Sequence, residues 1–309
     1  MAPFRRPARH RVHLTHLDKI FFPEAGYTKG DVVAYYQAIA PWMLPHLAGR
    51  PVALERYPDG ILGEHFFQKN APAWMPEWIP RVRIPSERSG RAVDYLVVDS
   101  EEALLYLVNL GTLTFHVWAS RAESLTRPDW ALLDLDPRGA PFDWVVRIAR
   151  AARRLCREVG LEAVVKTSGK TGLHVLVPLG AQLEYPAAGR LAEYLARILA
   201  ARLPEIATVE RALSARHGRV YIDRHQAAVA QVVAAPLTLR AVPTATVSMP
   251  LRWRELGPRL DPTRYDLKRA VRRMRRLRSD PLRPLLEAAP DVHAALRRLE
   301  VLASAAGSL

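Results

Sequence analysis

The sequence contains almost no cysteine, little lysine and no long apolar run, and these absences exclude several classes of protein. A single cysteine, Cys156, rules out a disulfide framework within the chain and a zinc site built from cysteines. Nowhere do about 18 apolar residues follow one another, so no transmembrane helix is predicted. The N-terminal segment is basic but lacks the apolar core of a secretory signal, so we expect a cytoplasmic protein.

Acidic side chains are in the minority, and arginine supplies most of the positive charge. The chain has 45 basic and 31 acidic residues, which gives a net charge of +14. Such a surplus does not specify a fold, but it suits a polyanionic partner, and nucleic acid is the commonest one. The alternative is a basic surface that serves only solubility. Hydrophobic residues make up 49% of the chain, which is enough for a sizeable core.

Helical and strand-like patterns alternate along the chain, and some strands follow one another through tight turns. This order predicts an α+β fold with mixed sheets. We expect a flexible basic arm over 1–11 and one catalytic region over 12–300, with an N-terminal lobe to about 125 and a C-terminal lobe over 126–300. The patterns predict helices over 31–47 (interrupted or ending near Pro41), 101–109, 142–159 and 187–203, and a mostly helical region from 264. They predict strands over 52–57, 94–99, 130–136, 164–167, 173–179, 219–223 and 229–235, and an irregular connection over 71–90.

Three aspartates stand at the ends of predicted strands. Asp134 and Asp136 close an apolar strand, and because alternate residues of a strand share a face, both carboxylates project together. Asp223 closes another strand. Like charges this close need a cation, and Mg²⁺ or Mn²⁺ prefers oxygen ligands. Three such carboxylates can hold two metal ions for phosphoryl transfer. The alternative is that Asp136 only begins a turn and Asp223 only caps a strand.

A glycine-containing turn over 168–174 joins two predicted strands. Its two glycines allow backbone amides to approach an anion, and Ser168, Lys170 and His174 add polar donors. The turn is not a P-loop, because it lacks the GxxxxGK[ST] spacing and leads into a strand. An ordinary hairpin turn followed by a buried histidine is the alternative.

The segments DLDP, SGKTGLHV and YID occur in the order of the three motifs of the archaeo-eukaryotic primase superfamily. More closely, the chain resembles the polymerase domain of bacterial ligase D. This resemblance implies the primase-polymerase fold, in which two mixed or antiparallel sheets flanked by helices enclose the active site. Further matching segments lie at 17–23, 28–31, 35–36, 49–52, 56–60, 66–70, 128–129 and 250–256.

The resemblance also implies roles for individual residues. Asp134, Asp136 and Asp223 correspond to the metal ligands and catalytic acids. The residues expected to bind the nucleotide are Ser168, Lys170, His174, Arg216, Gln226, Arg240 and His116. The residues expected to bind DNA are Lys19 and Lys29 at a 5′-phosphate, Phe66 and Phe67 on the template, and Arg56. Basic and aromatic side chains suit phosphates and unstacked bases.

Several of these roles have structural alternatives. Lys19 and Lys29 could be solvated surface lysines, and His116 could be a satisfied core histidine. One ring of the Phe66–Phe67 pair could point into the core. The chain also departs from the family pattern at Thr171, Thr114, Leu237 and Ala227, where the family has Lys, Glu, Tyr and Asn. These departures concern nucleotide affinity and the choice of sugar.

The function implied is template-directed extension of primer 3′ ends at gaps or double-strand breaks in non-homologous end joining. The cofactors would be two Mn²⁺ or Mg²⁺ ions, and the substrates DNA with a 5′-phosphate and NTP or dNTP. A separate DNA ligase and a Ku-like protein would be partners, at the nucleoid and away from membranes. A primer-independent primase and a non-catalytic DNA-end-binding repair module remain alternatives. Lys268, Arg272, Arg275 and Arg276 could share a helix face that contacts duplex phosphates.

Overall fold

The computed structural model describes residues 10–86, 90–224, 231–257 and 259–305. Most of the predicted N-terminal arm, together with Gln226 and Ala227, lies outside these residues. The described part contains two six-stranded sheets, a small two-stranded sheet and helices that pack around them. The predicted α+β class with mainly antiparallel sheets is therefore confirmed.

The first six-stranded sheet is antiparallel throughout and has the order β13-β7-β3-β6-β5, with β4 paired to β3. Strand β13, at one edge of this sheet, comes from the second half of the chain and pairs with β7. The small sheet joins β1 (Ile20–Phe22) to β2 (Tyr27–Thr28). The strands of the first sheet are β3 (Pro51–Arg56), β4 (Phe66–Gln68), β5 (Arg81–Ser86), β6 (Arg91–Val97), β7 (Thr112–Val117) and β13 (Val233–Ala234).

The second sheet has the order β11-β12-β8-β10-β9-β14 and is antiparallel except between β11 and β12. Its register places both Asp223 and His174 directly opposite Asp134, one on each neighbouring strand. Three polar residues from separate parts of the chain therefore form one row across the sheet. The strands are β8 (Trp130–Asp136), β9 (Val164–Thr167), β10 (Leu173–Pro178), β11 (Ala207–Thr208), β12 (Val220–Asp223) and β14 (Pro250–Leu251).

The helices bury apolar faces against these sheets, and none of those described is both long and apolar enough to span a membrane. α1 begins with a capping box in which Thr28 and Asp31 satisfy each other's backbone amides. α3 packs on β8 and β10 through an apolar stripe and leaves arginines on its outer face. The helices are α1 (Lys29–Leu47), α2 (Glu101–Asn109), α3 (Phe142–Glu158), α4 (Tyr185–Arg202), α5 (Leu267–Arg276), α6 (Pro284–Glu287) and α7 (Val292–Ala305).

Three sequence-based element predictions were wrong. α1 continues through Pro41 and Pro45, because both prolines lie on its exposed side while Tyr36 and Met43 bury the opposite face. The segment predicted to be irregular contains β5, an edge strand that tolerates Pro85. The strand predicted over 229–235 is reduced to the two residues of β13 in the described part of that segment.

Candidate active site

A cavity of about 780 Å³ lies between the two large sheets. Residues of β7 and β13 line it from the first sheet, and residues of β8 and β10 line it from the second. The turn over 168–172 closes one side. The sequence-predicted residues that meet at this cavity are His116, Asp134, Asp136, Ser168, Lys170, His174 and Arg240. The expected position of the site between two sheets is thus observed.

The three aspartates lie at neighbouring positions on β8 and β12. Asp134 and Asp136 share a face of β8, and Asp223 stands opposite Asp134. Burial raises the pKa of Asp134 to about 7, and the charges of Asp223 and Asp136 add to this effect. A cation among these oxygens would relieve the repulsion, so the donor set fits a divalent metal.

Two arginines hold the Asp136 carboxylate. Arg138 Nε lies 3.1 Å and Arg216 Nη1 lies 3.6 Å from Asp136 Oδ2. Arg216 is buried, and its guanidinium lies over the Tyr221 ring, 4.0 Å from the centroid. In the described part of the chain, no three acidic, histidine or cysteine side chains meet as a ready-made metal-binding group. The assignment of Asp134, Asp136 and Asp223 as metal ligands therefore stays a prediction.

The turn between β9 and β10 is held by its own serine. Ser168 Oγ accepts hydrogen bonds from the backbone amides of Lys170 (3.2 Å) and Gly172 (3.1 Å). Gly169 has φ +75°, and a Cβ there would collide with Arg240. A Cβ at Gly172 would collide with the carbonyl oxygen of Leu135. Both glycines are needed to bring this turn against β8 and Arg240.

Arg240 is partly buried and lines the cavity. Its aliphatic part packs against Gly169, and its Nε has no hydrogen-bond partner among the described residues. Its positive charge contributes to the low pKa values of Lys166 and His174, after burial. An unpaired guanidinium nitrogen beside a cavity suits an anionic ligand.

Lys166 is a residue that sequence reasoning missed. It is fully buried on β9, opposite His174, and its Nζ lies 2.7 Å from His174 Nδ1 and 2.6 Å from Ser248 Oγ. Ser248 donates its own hydrogen to the Thr167 carbonyl at 2.9 Å, so Lys166 is the donor to Ser248. The available signal was a lysine inside the apolar strand that precedes the turn.

The other ring nitrogen of His174 faces the carboxylates. His174 Nε2 lies 3.6 Å from Asp134 Oδ1. Because a carboxylate accepts and Lys166 donates, the ring carries its hydrogen on Nε2 and accepts at Nδ1. Burial and the charge of Lys166 hold the pKa of His174 well below its usual range, so the ring is neutral. It therefore presents a single N–H donor to the cavity.

His116 has an acidic partner on the neighbouring strand. Glu55 Oε2 lies 3.4 Å from His116 Nε2, and Tyr57 donates to Glu55 Oε1 at 2.7 Å. The hydrogen bond from His116, followed by that from Tyr57, lowers the pKa of Glu55 to about 2 against the effect of burial. Thr114, where the resemblance implies a glutamate, stands opposite Glu55 and donates to Leu239 O. The carboxylate beside His116 thus comes from β3 rather than β7.

Lys19 and Lys29 form a pair at the start of α1. Lys29 is buried, and burial followed by the charge of Lys19 lowers its pKa. Lys19 donates to Pro58 O at 3.1 Å and pairs with Asp59. No carboxylate lies within 4 Å of the Lys29 ammonium in the described residues. Because Lys29 is buried, the interpretation of it as a solvated surface lysine is wrong. A buried cation needs a partner, and an anionic ligand could supply one.

The aromatic pair of β4 lies on the surface. Phe66 and Phe67 are 45% and 46% exposed, so the alternative that one ring points into the core is wrong. The Phe67 ring centroid lies 5.2 Å from that of His116, which puts Phe67 near the cavity. The Arg56 guanidinium lies over the Phe66 ring, 5.0 Å from its centroid. It also donates hydrogen bonds to Gln68 Oε1 and to the Leu110 carbonyl. A direct DNA contact by Arg56 stays a prediction.

Comparison with known proteins identifies the family. Residues 28–282 match the family model described as LigD, primase-polymerase domain. Multifunctional non-homologous end joining protein LigD of Mycolicibacterium smegmatis is 34% identical over 268 residues, covering 85% of this chain and 35% of the relative. The bifunctional LigD of Bacillus subtilis is 30% identical over 273 residues, covering 88% and 44%. The chain thus spans about a third to under a half of the length of these relatives.

A solved structure gives the same result. The polymerase domain from Mycobacterium tuberculosis ligase D, in complex with DNA, superposes with a TM-score of 0.84 at 31% identity. The match covers 91% of this chain and 100% of that one. The chain therefore belongs to the LigD primase-polymerase domain family, whose members are DNA-directed nucleotidyltransferases.

Proposed function

We propose that this chain extends primer 3′ ends opposite a template at DNA gaps and broken ends, as a step of non-homologous end joining. One observation carries the proposal: Asp134 and Asp136 line the same cavity as the donors Ser168, Lys170, His174 and Arg240, and Asp223 stands opposite Asp134 on the next strand. The curated relatives are end-joining proteins, and the structural neighbour was solved with DNA.

Enzymes of this family use divalent metal ions. Asp134, Asp136 and Asp223 would hold two such ions, Mn²⁺ or Mg²⁺. Such ions would lower the pKa of the attacking hydroxyl and would stabilise the leaving pyrophosphate. Support comes from the raised pKa of Asp134, which reflects burial first and then the neighbouring charges of Asp223 and Asp136.

The remaining cavity residues would bind the incoming nucleotide. In the reaction, the primer 3′ oxygen attacks the α-phosphorus, and the bond from that phosphorus to pyrophosphate breaks. The Nε2–H of His174 and the guanidinium of Arg240 are donors suited to the triphosphate oxygens. The turn held by Ser168 presents backbone amides to the same anion. His116, fixed by Glu55, would border the sugar.

Two surface features would bind the DNA. Burial and then the charge of Lys19 lower the pKa of Lys29, and a 5′-phosphate bound by both lysines would offset this repulsion. Phe66 and Phe67 would stack on template bases where the strand bends. The proposed partners are a separate DNA ligase and a Ku-like end-binding protein, in the cytoplasm at the nucleoid.

The test is incorporation into a gapped, 5′-phosphorylated duplex, run with each nucleotide set and with Mn²⁺ or Mg²⁺. Asp136→Ala should lower incorporation by about a hundred- to a thousandfold or more, because one charge-stabilising group is lost at the transition state. Glu300→Ala, which removes an exposed acid on α7, is the matched control and should keep full activity. Undiminished incorporation by Asp136→Ala would refute the assignment, and dinucleotide synthesis without a primer would favour a primase.

Lys29→Ala tests the 5′-phosphate site. Losing one charge-assisted contact should weaken binding of the 5′-phosphorylated gap by about tenfold. The same gap with a 5′-hydroxyl should bind both proteins alike, as measured by fluorescence anisotropy. An equal loss on both substrates would contradict the role and indicate a general effect on α1.

A further inference from the structure

A second cavity, of about 760 Å³, lies on the outer side of α3 and is lined by arginine. One wall is α3, and the other is the segment after β14 that contains Trp253. We call it the arginine groove. Its six arginines are Arg150, Arg153, Arg154, Arg157, Arg252 and Arg254. The four on α3 follow the spacing i, i+3, i+4, i+7, so they form a single stripe along the helix.

The groove arginines have no acidic partners of their own. Within the described ranges, none of the six has a carboxylate within 4 Å of its guanidinium. Arg150 donates to the Leu256 carbonyl, and Arg153 lies over the Trp253 ring, 5.1 Å from its centroid. Arg154, Arg157 and Arg254 are exposed. Guanidinium groups remain charged at any working pH, so the groove concentrates positive charge.

Three acids near the groove already have other partners. Glu255 is bound by Arg273, with contacts of 2.5 and 2.6 Å. Asp280 is bound by His46 at 2.6 Å, and Glu158 by Arg202 at 2.7 Å. The exposed Glu162 is close enough to act on Arg153, but one carboxylate does not balance six arginines, so the groove attracts anions from outside the chain. In keeping with this, burial and then the charge of Arg157 lower the pKa of Arg153, and Glu162 opposes them more weakly.

We propose that the arginine groove is a second nucleic-acid site, which binds backbone phosphates outside the active-site cavity. The inference rests on the proposed function, because DNA is the polyanion on which this chain would act. Arginine forks match phosphate oxygens in a bidentate manner, which favours phosphates over the carboxylates of an acidic protein. The four arginines of α3 span about 10 Å of helix, the length of roughly three phosphates along one strand.

α3 connects the groove to the active site. Phe142, at the start of the helix, lines the active-site cavity. Arg150 to Arg157 follow 8 to 15 residues later, or about 12–22 Å along the helix axis. The phosphates in the groove could belong to the outer arm of the DNA held in the active site or to a second DNA molecule. Both sources offer the same backbone phosphates, and DNA substrates with long or short arms distinguish between them.

The experiment compares Arg154→Gln/Arg157→Gln with Arg190→Gln/Arg297→Gln. Each double variant removes two exposed helical arginines and the same charge, the first on α3 and the second on α4 and α7. Binding is measured against salt concentration for gapped DNA with arms of about 15 base pairs, and for hairpin-capped DNA with arms of about four.

The groove variant should bind the long-armed DNA about tenfold more weakly, and its slope of log K against log salt should fall by about 2. The control variant should change neither value. A loss on long-armed DNA alone assigns the site to the outer arm. A loss in capture of a separate duplex, with short-armed DNA saturating the active site, assigns it to a second DNA molecule.

The proposal would be overturned if the groove variant and the control variant bound every DNA substrate with the same affinity and the same salt dependence. A groove variant that binds DNA normally but no longer retains polyglutamate would also overturn it, since the groove would then recognise an acidic protein. The binding assay is independent of catalysis. A chain that fails to incorporate nucleotides refutes the proposed function, and a chain that incorporates them without groove-dependent binding refutes only this inference.

Discussion

The active-site cavity and the arginine groove have similar volumes, about 780 and 760 Å³, but opposite electrostatic designs. Inside the active-site cavity, acids and bases face one another through fixed contacts, as Lys166, His174 and Asp134 do. In the arginine groove, six cations stand together with no carboxylate within 4 Å among the described residues. A fixed hydrogen-bond network suits catalysis, because it holds groups in one geometry. Exposed arginines suit binding of backbone phosphates without regard to base sequence. Charge arrangement, rather than size, distinguishes the two.

The networked cavity has a cost in stability that the groove avoids. Asp134 carries a raised pKa and Lys166 a lowered one, and both shifts arise first from burial. Each shift means that the folded protein disfavours the charged form. Exposed groove arginines remain hydrated, so their repulsion costs little. Substitutions in the active-site cavity should therefore change stability and incorporation strongly, whereas substitutions in the groove should change stability little, and three predictions test this.

The largest effect is expected for Asp134→Asn. Incorporation should fall by about a hundredfold or more, because a proposed metal ligand is lost. The metal-free variant should nevertheless be more stable than wild type at pH 8, by about 1–2 kcal/mol, since Asp134 is 28% exposed and the full pKa shift is discounted. Chemical denaturation in the presence of a chelator, beside an incorporation assay, measures both quantities.

The sign of the pH dependence follows from the direction of the shift. The pKa of Asp134 is raised from 3.8 to about 7, so its stabilising contribution is present below about pH 4 and is lost as pH rises through 7. Metal-free wild type should lose stability over this window, and Asp134→Asn should lose less. A variant that is less stable than wild type at pH 8 would break the comparison.

A smaller effect is expected for Lys166→Met, which keeps a buried chain of similar length but removes the donor to His174. The ring can then carry its hydrogen on Nδ1, so the KM for the nucleotide should rise by about tenfold. The pKa of His174, followed by NMR, should rise because the Lys166 charge contributes to holding it low. Ser248→Ala keeps the lysine–histidine contact and is the control. Equal losses in both variants, with no movement of the His174 pKa, would indicate a purely structural role.

The smallest effect is expected for the folding stability of Arg154→Gln/Arg157→Gln. Removing two exposed like charges should change the free energy of unfolding by no more than about 0.5 kcal/mol, and any change should be a gain. Thermal unfolding at low and at high salt measures this. A loss of stability beyond that range would mean that the groove arginines hold the fold together, in which case the contrast between the two regions would fail.

The sequence predicted helices, strands and motif residues better than it predicted which side of an element faces solvent and which side chains meet. The end of β8 at Asp136 could be read from an apolar run followed by Pro137. The continuation of α1 through two prolines could not, because it depends on which side of the helix faces solvent. Lys166 was missed because a lone lysine in a short apolar strand gives no local sign of the histidine and serine it bonds.

The exchange of partners at His116 was equally invisible. The sequence has Thr114 where the family pattern has a glutamate, so by sequence alone His116 has no acid two residues before it. Only the pairing of β3 with β7, which sets Glu55 opposite Thr114, restores a carboxylate beside the histidine. Cross-strand contacts join residues far apart in the chain, so periodicity within one strand cannot reveal them.

By itself, the sequence determined the strand-end acids, the glycine turn over 168–172 and the excess of arginine, because each is encoded locally by residue type and spacing. Tertiary structure alone decided which of these groups meet, which carboxylate serves His116, and that the arginines of α3 face a groove in which none of the described acids forms an ion pair with them. The physical reason is that burial and pairing depend on the three-dimensional neighbours of a charge, which sheet register and helix packing select.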